Sequence, residues 1–534
     1  MGCSFLLAWV AAFAGASLGD DCLILKDGRI LTQLAVEKDG ADYRVRFQNG
    51  DIKVPAAMVL DAVLVAAAPV EPKNDEERKA LEKGLVKFDG RWMPSKERDS
   101  LLQRKVAEKK KQIEQLKSHQ LWRNRLRSTS AHFDFEYTVP PHVFQRYRDL
   151  LEGYFTEFSK QWKLNVPKEK LKVCFYHDEE TYYETSGAQR GAIAYYRFVR
   201  PLELNVYYDR LDARGTETTL FHEANHYLSA LINPGFLYPH FPGESLAEYY
   251  GASSFDAATK KLEFGLLQEG RLAEIQSDIA SGRLGDGDSG PTTAGASKPG
   301  ELMGLEALVS TDRMYEHYTW GWSLCHFLMS DKRYKPKFQA FIVGLAFDRE
   351  VKRDVTLGDN NRSVSGGEVW LQFKRSLGLK DAKAVAALEK EWHAHVQKSI
   401  QTTSARGLQL AAESADHSGR PIRARRLYKE AIEAGCRDAN AYHAYARLLV
   451  RDDRLGEAIT IWKQALEFDP LQARLYWHLG RTMAKKGDGT EGKRLMALAR
   501  EMDPEDPEID FELDLDALIK KSTSSDTEKT PGEK

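Results

Sequence analysis

The sequence predicts an α+β protein in three successive parts: a small N-terminal β module, a large mixed domain and a C-terminal stack of helix pairs. Three observations predict it. Short β-like runs between turn signals fill residues 22–65, strand-like runs mix with long helical patterns over 131–400, and a periodicity of 34 residues runs through 405–504. The 534-residue chain is 42% hydrophobic and 29% charged, the balance of a soluble protein with real cores. It has room for about three or four domains. Lys plus Arg number 77 against 79 Asp plus Glu, a net charge of −2 that argues against a nucleic-acid-binding protein. Five cysteines without close pairs exclude a disulfide-stapled mini-domain and a zinc-ribbon framework.

The first element is an apolar run from Phe5 to Gly15, followed by small residues Ala16, Ser17 and Gly19. It is too short for a bilayer, which needs about 20 residues, and suits the core of a secretory signal. Residues 1–19 are therefore read as a signal peptide, and the mature protein as secreted or periplasmic. The n-region is weak, since no Lys or Arg precedes Lys26, and a buried N-terminal helix is the alternative. Cys3 lies before the apolar run, which speaks against a lipoprotein anchor. No later stretch could span a membrane.

Within 22–65, Leu23 to Leu25, Tyr43 to Phe47 and Ile52 to Val54 read as strands. Turns are expected at Lys26-Asp27-Gly28, Lys38-Asp39-Gly40 and Asn49-Gly50-Asp51, giving a small barrel-like module. A linker, Ala66 to Asn74, leads to a charged helical spacer over 75–127 with Lys109-Lys110-Lys111 at its centre. A basic helix could touch an anionic partner, but a charge run is usually a solvated face. In the 131–400 domain, Phe133 to Thr138, Leu171 to Tyr176 and Leu202 to Tyr208 read as strands. Residues 284–300 read as a flexible loop, whose Gly285, Gly287 and Gly290 match G-x-G-x-x-G without the strand and helix a dinucleotide site needs.

In the periodic region, Tyr442, Tyr445, Ala446, Leu449, Ala458, Trp462, Ala465 and Pro470 recur as Tyr476, Leu479, Gly480, Met483, Gly492, Met496, Ala499 and Pro504. A fainter copy begins at Leu408. Large and small residues alternating at this period let two antiparallel helices pack closely and stack on the next pair. The pattern resembles the tetratricopeptide repeat in about three units, which implies an α-helical solenoid and a protein partner. Residues 505–534 turn acidic and polar and are expected to be disordered.

The chemistry sits at His222-Glu223-Ala224-Asn225-His226. A spacing of four stacks His222 and His226 on one helix face, where two imidazoles can hold Zn²⁺ and Glu223 lies beside them to act on a water. A structural pair of histidines is the alternative. Further on, Pro242-Gly243 sets up a helix start with Glu244 near the first turn, and Glu248 is again four residues away. Glu244 could be the third ligand and Glu248 could hydrogen-bond a ligand histidine from behind. The competing reading is a solvated acidic face.

These residues resemble the gluzincin clan of metallopeptidases, with His-Glu-x-x-His on one helix and a ligand Glu on the next. "FPGESLAEYYG" is similar to that clan's second-helix motif, with Ser245 where the family usually has Gly. The resemblance implies a zincin-like domain, Zn²⁺ held by His222, His226 and Glu244, Glu223 as general base and Glu248 behind the ligands. It also implies an oxyanion donor on a later helix. Tyr318 fits best, in "YTWGWSLCHFL", ahead of Tyr315 and His317, and plain aromatic core is the alternative. His326 beside Cys325 is read as core and His240 as a cleft or surface residue. The whole layout resembles an uncharacterised family of exported bacterial proteins. The expectation is an exported zinc metallopeptidase whose repeats recruit a protein partner or substrate. Its rival is a catalytically silent zincin-fold and repeat scaffold of the cell envelope. A third reading, on composition alone, has the β module and the Lys-rich helix bind envelope polymers.

Overall fold

The computed structural model describes residues 21–504 apart from 65–71, 73, 89, 165, 211, 286, 289–295, 358–360 and 402–403, and adds residues 506 and 509. The expected signal peptide at 1–19, and all of the 505–534 tail but 506 and 509, lie outside the described residues. The chain is mixed α+β and divides into two compact units. One draws on residues up to Gln115 and from Asp469 onward, the other is Leu116–Phe468.

In the first unit, β1 (Asp21–Leu25), β2 (Ile30–Asp39), β3 (Asp42–Phe47), β4 (Gly50–Val54) and β5 (Val59–Val63) form one sheet in the order β4-β3-β2-β1-β5. Every neighbouring pair is antiparallel. The first two turns are made by Gly28 (φ 91) and Gly40 (φ 64), in a region where a side chain would clash with its own backbone. Alternation collects Leu23, Leu25, Val36, Val45, Ile52 and Val54 into a core. A single small sheet cannot cover its own apolar face and needs a second layer. Leu471 and Leu498, from the last part of the periodic region, join that core. Arg29 donates to the Leu471 carbonyl at 3.1 Å, and Arg494 to the Asn49 carbonyl at 2.6 Å. The helices Ala473–Lys486 and Gly489–Met502 thus fold with the β module. The 75–127 stretch is less uniform than a single spacer. It holds a short helix, a hairpin pairing Leu85–Phe88 with Arg91–Pro94, and the helix Ser95–Gln120, in which only Leu102 and Ile113 are buried.

The second unit is built on a sheet of β6 (Leu126–Thr129), β7 (Phe133–Tyr137), β8 (Leu171–Tyr176), β9 (Ala194–Arg197) and β10 (Glu203–Tyr207), ordered β9-β10-β8-β7-β6. The three inner strands are parallel and both edge strands antiparallel. Helix α1 (Pro141–Trp162) buries Phe144, Tyr147, Leu151, Tyr154, Phe155, Phe158 and Trp162, a stripe at helical spacing. Helix α2 (Ala213–Ala230) starts at Asp212, whose carboxylate accepts from Gly215 N at 2.9 Å, and buries Leu220, Phe221, Ala224, Tyr227 and Leu228. Asn225, fully buried on α2, donates to Tyr154 Oη at 2.8 Å and fixes the rotation of α2 against α1.

Helix α3 (His240–Gly251) is non-helical at Phe241, so its regular turns begin with Pro242-Gly243 as the sequence indicates. Trp162 Nε1 donates to Tyr250 Oη at 2.9 Å and ties α3 to α1. Helix α4 (Glu269–Ser281) follows, then a π-helical turn, His317–Gly321, running into α5 (Trp322–Ser330). Two helix pairs, Ala405–His417 with Pro421–Glu433 and Ala439–Arg451 with Leu455–Phe468, complete the unit. No described helix is long and apolar enough to cross a membrane.

Candidate metal centre

Helix α2 places His222 and His226 one turn apart, with their Nε2 atoms 3.3 Å from each other. Helix α3 runs so close to it that a Cβ on Gly251 would touch the Thr218 carbonyl at 3.5 Å. That approach brings Glu244 Oε2 to 3.3 Å from His222 Nε2 and 3.5 Å from His226 Nε2. Metal–ligand bonds of ~2.0–2.1 Å at tetrahedral angles separate ligand atoms by ~3.3–3.4 Å. The triangle of 3.3, 3.3 and 3.5 Å therefore matches three corners of a zinc tetrahedron. Glu244 Oε2 is buried and makes no hydrogen bond among the described residues. An acceptor oxygen facing two imidazole nitrogens is the donor set a divalent cation satisfies, and these three residues could hold one.

The electrostatics favour a cation. Burial opposes ionisation of Glu244, but His226 and His222 hold its carboxyl far below the ordinary range. Burial also opposes charge on His222, yet Glu244 and Glu248 raise its proton affinity well above normal. A field that draws a proton to this point draws a metal ion as well.

Behind the triangle, Glu248 Oε1 lies 3.4 Å from His222 Nδ1. Helix α4 grips the same carboxylate: Arg271 Nε donates to Oε2 at 3.1 Å and Nη2 to Oε1 at 3.0 Å, with Gln268 Nε2 at 3.4 Å. Burial would push the Glu248 carboxyl up, but the Arg271 charge and His222 bring it down to about 2. It is thus placed to accept a ring N–H from His222 Nδ1, which would leave Nε2 as the nitrogen facing Glu244.

Glu223 Oε2 accepts from Tyr196 N at 2.9 Å, so the edge strand β9 holds the carboxylate, whose charge also acts on His222. The Tyr318 ring stands 6.0 Å from the His222 ring, with Arg271 at 5.2 Å over its face. Burial, then Glu244 and Glu248, raise the Tyr318 phenol and keep it a proton donor. The π-helical turn that carries Tyr318 is fastened by Ser245, whose hydroxyl donates to the His317 carbonyl at 3.4 Å. A Cβ on Gly321 would fall on Ser245 Oγ, so the serine and the bare glycine fit each other.

The other candidates face elsewhere. Tyr315 donates to Asp278 at 3.3 Å. His317 is fully buried against the Leu308 carbonyl at 3.1 Å, and burial lowers it to about 4. His240 stacks on His317 with centroids 6.2 Å apart. His326 pairs with His395 at 3.1 Å rather than with Cys325. Three groups of the site went unread in the sequence: Arg271, Gln268 and the Tyr196 N–H. Arg271 had one available signal, a lone cation among Leu272, Ala273 and Ile275. The backbone amide had none. Compared with known proteins, the chain matches no family model and no curated protein.

Proposed function

We propose that the protein is a zinc-dependent peptidase that acts outside the cytoplasm, its helix pairs serving as tetratricopeptide-type repeats that recruit a protein substrate or partner. The observation that carries the reading is the near-equilateral triangle of His222, His226 and Glu244 with Glu223 on the adjoining helical position. When bound, Zn²⁺ supplies Lewis-acid polarisation of a peptide carbonyl and a water acidified toward neutral pH. Glu223 takes the attacking water's proton and delivers it to the leaving amine. Tyr318 donates a hydrogen bond to the oxyanion that forms on the carbonyl. Glu248 holds His222 in the tautomer that ligates through Nε2.

The test pairs metal content with turnover of a peptide library by the purified protein. About one zinc per chain is expected, lost in His222→Ala. Glu223→Gln is expected to keep the metal and lose hydrolysis. A wild-type protein without metal after zinc is supplied removes the hydrolase reading and leaves the scaffold. Retained turnover in Glu223→Gln removes that residue from the mechanism.

A further inference from the structure

Arg271 makes more contacts with the site than any motif in the sequence announces. Its Nε and Nη2 form a two-point clamp on Glu248, at 3.1 and 3.0 Å. The remaining terminal nitrogen, Nη1, donates to Glu274 Oε2 at 3.2 Å. Its flat face covers the Tyr318 ring at 5.2 Å. Edge and face of the guanidinium are thus both engaged, and the group has one orientation. Glu274, 2% exposed, is fixed in turn: the same Oε2 accepts from Thr319 Oγ1 at 3.1 Å, on the residue after Tyr318 in the π-helical turn.

The contacts close two rings. One runs from His222 through Glu248 and Arg271 to Tyr318 and back to His222. The other runs from Arg271 through Glu274 and Thr319 to Tyr318. The guanidinium is the shared member. We propose that Arg271 is a positioning residue that sets two groups of the site together: the His222 imidazole through Glu248, and the Tyr318 phenol by direct contact. The roles of those two groups rest on the peptidase reading above; the mechanical coupling rests on the contacts.

Only arginine fits this post. A planar fork can clamp a carboxylate side-on, keep a nitrogen for a second carboxylate and lay its face on an aromatic ring. A lysine offers one point charge and no plane. Loss of the clamp frees the Glu248 carboxylate to rotate, and His222 Nδ1 then loses a fixed acceptor. Loss of the face frees the Tyr318 ring from one side.

The experiment measures zinc affinity by chelator competition and, separately, kcat, in Arg271→Lys, Glu248→Gln, Glu274→Gln and the Arg271→Lys/Glu248→Gln double variant. Arg271→Lys and Glu248→Gln are each expected to weaken zinc binding about 10–100-fold, with the double variant no weaker than the worse single one. Glu274→Gln leaves the Glu248 clamp in place, so it is expected to lower kcat at unchanged zinc affinity. A purely structural Arg271 would lower melting temperature and leave affinity alone, so zinc binding by Arg271→Lys within about twofold of wild type overturns the proposal. Additive losses in the double variant overturn it too. Should Arg271→Lys not fold, Glu248→Gln decides, because Glu248 is the group through which Arg271 is proposed to hold the His222 imidazole; wild-type affinity there is a refutation. A wild-type chain that binds no zinc sinks this inference together with the peptidase reading. A zinc-binding wild type with an unaffected Arg271→Lys sinks this inference alone.

Discussion

Replacing Arg423 by methionine isolates the cost of a stranded buried charge. Arg423 lies on the helix Pro421–Glu433 and is 1% exposed; its partner Asp278, on α4, is 0% exposed. Nη2 donates to Asp278 Oδ1 at 2.7 Å and to the Glu274 carbonyl at 3.2 Å. Methionine roughly preserves the volume, so little of the loss comes from a cavity. Among the described residues Asp278 keeps two neutral hydrogen-bond donors, Trp320 Nε1 at 3.3 Å and Tyr315 Oη at 3.3 Å, with Arg420 acting on it through charge alone. Removing one member of such a pair costs about 3–5 kcal/mol. At ~2 °C per kcal/mol for a large unit, the melting temperature falls by roughly 6–10 °C.

The loss also carries a pH signature. Burial already raises the Asp278 carboxyl above its ordinary value despite Arg423, and without Arg423 it rises further. A carboxyl whose folded value exceeds its unfolded value, ~3.9, contributes fully below the unfolded value and loses that contribution as pH rises through the folded one. The deficit of Arg423→Met must therefore widen as pH rises above the unfolded carboxyl value. Adding Asp278→Asn removes the charge and should recover most of the loss. Thermal melts of the wild type and the two variants over rising pH are the assay. A deficit below ~1 kcal/mol, one that does not grow with pH, or a double variant no better than the single one refutes the reasoning.

Tyr318→Phe keeps the ring under Arg271 and deletes only the hydroxyl, so steady-state kinetics should show kcat lower by about 10²–10³ with zinc content unchanged. Asp212→Ala removes the cap of α2 together with the acceptor of Arg406 Nη2, which reaches both carboxylate oxygens at 2.9 and 2.8 Å. Calorimetry should register a loss of about 1–2 kcal/mol. Gly480→Ala puts a Cβ 2.7 Å from the Gly492 carbonyl oxygen, where backbone must shift, and should cost about 1–3 kcal/mol in a melt of the full chain.

The pair of histidines could be read from sequence because its members lie one helical turn apart. His222 and His226 share a face because 3.6 residues make a turn, and Glu244 is placed by the Pro242-Gly243 start of α3. Tyr318 is legible through the resemblance of its context to the family's Tyr before an apolar helix, while its aromatic neighbours alone read equally as core. Arg271 is not legible, since its partners are Glu248, 23 residues back, and Tyr318, 47 residues on. A charge on a helix reads as a wet face until something packs over it. The strands follow the same division. Leu171 to Tyr176 is a mostly apolar run buried on both faces and is legible, whereas β6, Leu-Arg-Ser-Thr, is a polar edge whose first two residues read as the end of the spacer. Strand β2 escaped because its alternation is broken by the irregular register against Asp21 and Cys22. The π-helical turn has no sequence signature at all. The hairpin at 85–94 did leave one, Asp89-Gly90, outvoted by the surrounding charge; Gly90 takes φ 80.

The sheet β1–β5 finds part of its second layer in Leu471 and Leu498, about 450 residues farther along the chain. During synthesis at ~5–20 residues per second, those partners appear roughly 20–90 seconds after the strands do. Throughout that interval the sheet lacks that part of its cover, and incompletely covered sheets are prone to pair with the wrong chain. Residues 116–468, complete before Leu471 emerges, can fold first. The order of synthesis thus lets the middle of the chain close early, while the first strands made wait for the last helices to complete their core.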